Sequence, residues 1–187
     1  RGKPVVRVGV IHPIESYWLH WGPAEQTALV RDELDKNFQN LTEWLLFGGI
    51  DFDYLCEARL PEQCEKGGFP LRVGEMAYDV IVVPPLRTMR STTVKRLEDF
   101  QKEGGRVIFL GDRPDHIDAE RSDAAKSLYE KSVRIGYDDS AILQALEDVR
   151  LIDIRKEDGS RTDNILYQLR EDGEQKWLFI CNGKNPD

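Results

Sequence analysis

The stretch Val5-Val-Arg-Val-Gly-Val-Ile-His-Pro-Ile-Glu-Ser-Tyr-Trp-Leu-His-Trp-Gly-Pro23 holds the pattern from which the fold is read. Its apolar run is stopped by Pro13 and lacks the alternation of a half-exposed strand, so it is expected to be a strand covered on both faces, at the centre of a parallel sheet. The residues that follow then form a loop at the strand's carboxyl end. In open α/β sheets ligands bind there, where the strand order reverses. This loop places His12, Glu15, Tyr17, Trp18, His20 and Trp21 within ten residues, and they are the candidate contact residues.

Outward from this loop, Gly22-Pro23 is expected to open a helix, with proline at the first helical position. Val30, Leu34, Phe38, Leu41 and Leu45 recur at helical spacing to about Phe47, and Gly48-Gly49 ends the run. Ile50 to Cys56 alternates as a second strand and completes a strand-helix-strand unit. A short helical turn at Pro61–Lys66 and a strand or hairpin arm at Leu71–Glu75 follow. Tyr78–Val83 reads as a buried strand stopped by Pro84-Pro85. Ser91 is positioned to cap a helix whose Val94, Leu97 and Phe100 face the sheet, and Arg106–Leu110 is the next strand. Asp118 is expected to cap a helix reaching about Lys131; Val133–Ile135 is a short strand and Asp138–Asp148 a helix.

The pattern changes after residue 150. Leu151–Ile154, Asn164–Leu169 and Lys176–Cys181 read as three strands of an antiparallel meander, with turns at Asp158-Gly159 and Asp172-Gly173. The expected organisation is an α/β domain over residues 1–150 and a β-meander over residues 151–187, which either packs on the sheet or opens a further β-domain. The start close to a strand and the ending Asn185-Pro186-Asp187 suggest a segment of a longer polypeptide.

Composition narrows the partners. The 187 residues are 40% hydrophobic and 32% charged, enough for one sizeable core, and the net charge of -8 speaks against nucleic acid or an anionic membrane. No apolar run approaches the ~20 residues that span a bilayer. Cys56, Cys64 and Cys181 have no metal-ligand spacing and are expected to be free thiols, Cys56 and Cys181 as small buried apolar residues, which favours a reducing, cytoplasmic setting. A Cys56–Cys64 bridge is the lesser alternative.

The segment from Tyr78 to Asp112, with Val8–Pro23 and Gly49–Glu57, resembles the class I glutamine amidotransferase-like fold, a flavodoxin-like, three-layer parallel sheet. It is similar in particular to the trimerisation domain of family 42 β-galactosidases. The resemblance covers roughly residues 5–150. It implies an accessory or interface domain of a large bacterial glycoside hydrolase, with the catalytic barrel and β-domains of the same polypeptide, a carbohydrate and further copies of the chain as partners. Working amidotransferases and peptidases of this group carry a nucleophilic Cys on the turn after a strand. The corresponding turn here is Gly111-Asp112-Arg113-Pro114, with no Cys, Ser or Thr, and nearby His116 has no nucleophile to serve.

Other chemistry has little behind it. Val8-Gly-Val is no dinucleotide fingerprint and no phosphate-binding glycine loop occurs. Asp51 and Asp53 fall on one side of a strand, as either an acid/base pair or ordinary residues of a half-exposed edge. His12 and His20 have no third ligand at metal spacing, and no catalytic residue, cofactor or metal is expected. The aromatic loop offers the faces and planar polar groups that bind sugars; the alternative is that its tryptophans plug an interface with a neighbouring domain. A stand-alone sugar- or nucleotide-binding module and an amidotransferase- or peptidase-like hydrolase are the rival readings.

Overall fold

A computed structural model describes residues 2–183. In chain order the strands are β1 (Lys3–Pro4), β2 (Val8–Ile11), β3 (Phe52–Leu55), β4 (Leu71–Val73), β5 (Met76–Tyr78), β6 (Val80–Val83), β7 (Thr88–Met89), β8 (Arg106–Leu110), β9 (His116–Ile117), β10 (Glu120–Arg121), β11 (Val133–Ile135), β12 (Ile165–Asp172) and β13 (Gln175–Asn182). The helices are α1 (Ile14–Leu19), α2 (Ala24–Phe47), α3 (Leu60–Gln63), α4 (Ser91–Lys102), α5 (Lys126–Lys131) and α6 (Asp139–Ala145).

The main sheet has the order β11-β8-β6-β2-β3, and every pairing within it is parallel. Numbering only these five strands along the chain gives 2-1-3-4-5, the flavodoxin-like order, whose reversal lies between β2 and β6. β2 is therefore next to an edge strand, and the centre expected for it belongs to β6. Two separate cores cover the two faces. Val8, Val10, Val80, Val82, Ile108 and Leu110 meet Leu41 and Leu45 of α2 and Ile142 of α6 on one side. Ile11, Ile81, Val83, Val107 and Phe109 meet Val94, Leu97 and Phe100 of α4 on the other. This split explains the continuous apolar runs: successive side chains point to opposite faces, and both faces are dry. Gly9 points into the second core, where an added Cβ would come within 2.8 Å of Leu55 and 2.9 Å of Ile81.

Four expectations change. The aromatic loop contains a helix, α1. Its six residues are too few for an apolar period to register. Pro23 precedes the first helical residue of α2, with ψ of 137°. The helix expected from Asp118 begins only at Lys126, because Asp118 and Ala119 both have positive φ, 51° and 65°. They are the two central residues of the β9–β10 hairpin, in which Ile117 pairs with Glu120; positive φ at both is what such a tight turn needs. Finally, residues 151–154 form no strand. The third strand beside β12 and β13 is the N-terminal β1, giving the sheet β1-β12-β13. The apolar run from Val5 accordingly crosses between sheets: the Val5 amide donates to Leu169, and Arg7 accepts from Asp79 and Val80. The ending at residues 185–187 lies outside the described residues.

Candidate functional site

The strand order puts the crevice between the carboxyl ends of β2 and β6, and Ser16 of α1 fills it. Ser16 is fully buried. Its Oγ accepts from the amides of Arg87 (2.8 Å) and Thr88 (3.1 Å) and donates to the Thr88 carbonyl (3.4 Å). In a flavodoxin-like sheet, free amides at this point are the donors a phosphate would take. Here a side-chain hydroxyl already satisfies them.

With Ser16 facing inward, α1 and the residues flanking it divide the candidate residues among four places. Glu15 and Trp18, three apart and so on one face, line an open cleft of about 480 Å3 with Leu19, Thr88, Arg90, Asp118 and Ala119. Tyr17 and Trp21 turn the other way, with ring centroids 6.3 Å apart, and the Arg31 guanidinium lies 5.1 Å from the Trp21 ring. His12 packs edge-on against Phe38 and Tyr54 beside a small hollow of about 150 Å3, and burial lowers its pKa. His20 places Nδ1 3.0 Å from the Ser16 carbonyl, closing α1. Among the described residues no group of three His, Cys, Asp or Glu side chains gathers as a metal site.

The cleft is built from charges held in place. The Arg90 Nε donates to Glu15 at 2.6 Å; Glu15 is 16% exposed and Arg90 40%. Behind this pair lies Glu57, two residues past β3 and only 2% exposed, accepting the Arg90 amide at 2.8 Å. Burial pushes the Glu57 carboxyl up to about 7, opposed by that amide and assisted by the nearby Glu15 charge. On the far wall the β9–β10 hairpin is bonded to β7: Asp118 donates its amide to Met89, and Ala119 donates to Thr88 Oγ1 at 3.2 Å. The Asp118 carboxylate accepts from the Ser91 amide at 3.0 Å. It thus caps α4, the role expected of Ser91, and hydrogen bonding from the Ser91 side chain, then from its amide, holds the Asp118 pKa down. Trp18 borders the cleft with 59% of its surface open to solvent, and Trp21 is 70% open.

The remaining chemical candidates are occupied or exposed. Asp53 accepts from the Tyr78 hydroxyl at 2.9 Å. Asp51 accepts the Phe52 amide, and burial pushes it up to about 6; the strand register places it at the amino end of β3, away from the cleft. The turn after β8 carries no nucleophile: Asp112 is exposed, Arg113 pairs with Asp123, and His116 pairs with Asp115 at 2.8 Å. All three cysteines are free, but only Cys64 is buried. Cys56 and Cys181 are exposed, because each sits at the end of an edge strand rather than inside a sheet.

The fold and site define an α/β protein of flavodoxin-like strand order with a tryptophan-bordered cleft at its strand ends, lined by Glu15, Arg90 and Asp118. No protein-family model matches this chain, and no curated protein matches it. No helix among the described residues is long and apolar enough to cross a membrane.

Proposed function

We propose that this chain is a non-catalytic accessory domain of a bacterial glycoside hydrolase, of the amidotransferase-like kind, whose strand-end cleft contacts carbohydrate beside the catalytic barrel. One observation carries the reading: Trp18 stands exposed at the rim of a cleft in which Glu15, Arg90 and Asp118 are already fixed by hydrogen bonds. An aromatic face covers the C–H surface of a sugar ring, and planar carboxylate and guanidinium groups bond its hydroxyls. Pre-fixed groups lose little entropy on binding.

A non-catalytic role is supported by the engagement of the cleft's two carboxyl groups, Glu15 by the Arg90 guanidinium and Asp118 by the Ser91 amide. Glycoside hydrolysis needs two carboxyl groups facing the scissile bond, about 5 to 10 Å apart. Glu57, whose proton affinity would suit an acid, is sealed behind Arg90 and α1 and does not line the cleft. A nucleotide-binding role is disfavoured because Ser16 holds the amides that a phosphate would use.

Trp18→Ala and Trp21→Ala test the proposal. Loss of sugar binding in Trp18→Ala, with the fold intact, supports it. Weakened assembly with a catalytic barrel in either variant assigns the face to an interdomain contact instead. Unchanged behaviour in both assays sinks the role of the aromatic loop.

A further inference from the structure

Resting on the carbohydrate-binding reading above, we infer that the strand-end cleft prefers a sugar carrying a free amino group, in its ammonium form, over the neutral or acidic counterpart. Among the described residues lining the cleft, Glu15 and Asp118 are the carboxylates and Arg90 is the single cation. The lining is left with one net negative charge. Charge balance of this kind sets which ligands are admitted more than it sets raw affinity.

The guanidinium is outnumbered. Its Nε is committed to Glu15 at 2.6 Å. That hydrogen bond holds the Arg90 pKa up against the opposing effect of desolvation, and the charges of Glu15, Glu57 and Asp118 add to it. One cation thus stands among three carboxyl groups. An acidic sugar would bring a further carboxylate to this group, whereas an ammonium meets a surplus of acceptors. A carboxylate accepts at about four lone-pair positions. Glu15 serves Arg90 and Asp118 serves Ser91, so both keep capacity for a ligand. An ammonium group, with three donors and no acceptor, is their complement.

The aromatic wall points the same way on separate grounds. Trp18 shares a face of α1 with Glu15 and has 59% of its surface open to solvent. Indole is the best side-chain partner for a cation held over its ring, and a hydroxyl carries no charge for that ring to attract. The cleft, at about 480 Å3, falls within the range of small-molecule sites. At longer range the chain's net charge of -8 draws cations and repels anions. The acidic lining is not a general property of the surface: the hollow beside α4 and α5 has the opposite balance, with Lys102, Arg106 and Lys131 against Glu98.

Binding constants of the whole 187-residue chain at pH 6 and low salt test the preference, read from the Trp18 indole and Asp118 amide resonances. The probes are methyl glucoside and methyl galactoside, their 2-amino and 6-amino analogues, the N-acetylated forms of these, and the corresponding uronic acids. At least one amino glycoside is expected to bind roughly tenfold or more tightly than its parent. Acetylation, which removes the charge, should abolish that gain, high salt should narrow it, and the uronic acids should bind weakest. Glu15→Gln and Asp118→Asn each remove one charge, glutamine keeping an acceptor for Arg90 and asparagine a good helix cap. Each should lower the ratio of amino to parent affinity by about threefold or more. Equal binding of parent and amino glycosides overturns the preference and leaves the carbohydrate-binding reading standing. Tighter binding of a uronic acid, or a ratio unchanged in both variants, also overturns it. Unshifted Trp18 and Asp118 signals with every probe overturn both.

Discussion

Replacing Glu57 by glutamine isolates the free energy of a single buried carboxyl. Glutamine keeps the shape and the acceptor for the Arg90 amide, and it removes the titration. In the folded chain burial raises the Glu57 pKa from 4.5 to about 7. At about 1.4 kcal/mol per pH unit, that displacement corresponds to about 3 kcal/mol. The sign follows from proton binding. Between those two pKa values the folded state holds the proton more tightly than the unfolded state, so stability is fully present below about pH 4.5 and is lost as pH rises through about 7. Urea unfolding of wild type and Glu57→Gln at pH 5, 6, 7 and 8 measures the effect. The two stabilities should converge toward pH 5 and diverge above it, the glutamine variant ending about 2 to 3 kcal/mol the more stable at pH 8. Asp51, raised to about 6, tilts both curves alike and cancels in the difference. Parallel curves would refute the reasoning, since they would mean that Glu57 is as well solvated in the folded state as in the unfolded one.

Other substitutions test separate parts of the site. Ser16→Ala leaves the buried amides of Arg87 and Thr88 without their acceptor and should cost about 1 to 3 kcal/mol in denaturant unfolding. Ala119→Gly relieves a left-handed residue in a tight turn and should stabilise by about 1 kcal/mol, read as a raised unfolding midpoint. Asp118→Ala removes the cap of α4 and should cost about 1 kcal/mol. Gly67→Ala would place a Cβ 2.1 Å from the Arg96 carbonyl oxygen and is expected to lower thermal stability more than any of these, since the obstacle is backbone.

The parts of the fold visible in the sequence are those set by nearest neighbours along the chain. Tyr78–Val83, of which Val80–Val83 is the strand of the main sheet, and Arg106–Leu110 read as buried strands because each presents apolar residues to two dry cores. The helix expected over Asp138–Asp148 was legible because its start is local: Asp138 caps it by accepting the Ala141 amide, three residues away. Where the deciding partner is distant, local pattern misleads. Asp118 is a good helix cap, but the amide it serves belongs to Ser91. Lys3–Pro4 carries no strand signal and is a strand through its pairing with Arg170 and Glu171, far along the chain.

The site divides in the same way. Glu15 and Trp18 stood out by composition, and the structure brings them together. Arg90 and Glu57 were missed; Glu57, two residues past the end of β3, was findable as a strand-end carboxyl, whereas Arg90 follows β7, a two-residue strand with no local signal. Ser16 carried no signal, since its role depends on amides 71 and 72 residues away.

The most direct test of the account is a nuclear magnetic resonance titration of the 187-residue chain with methyl glycosides of neutral hexoses and deoxyhexoses, followed by incubation with nitrophenyl glycosides. The account predicts that at least one methyl glycoside shifts the Trp18 indole signal and the amides of Arg90, Asp118 and Ala119. It also predicts that no nitrophenol is released. Glycoside cleavage that survives Trp18→Ala, or unshifted Trp18 and Asp118 signals across the whole panel, would contradict it.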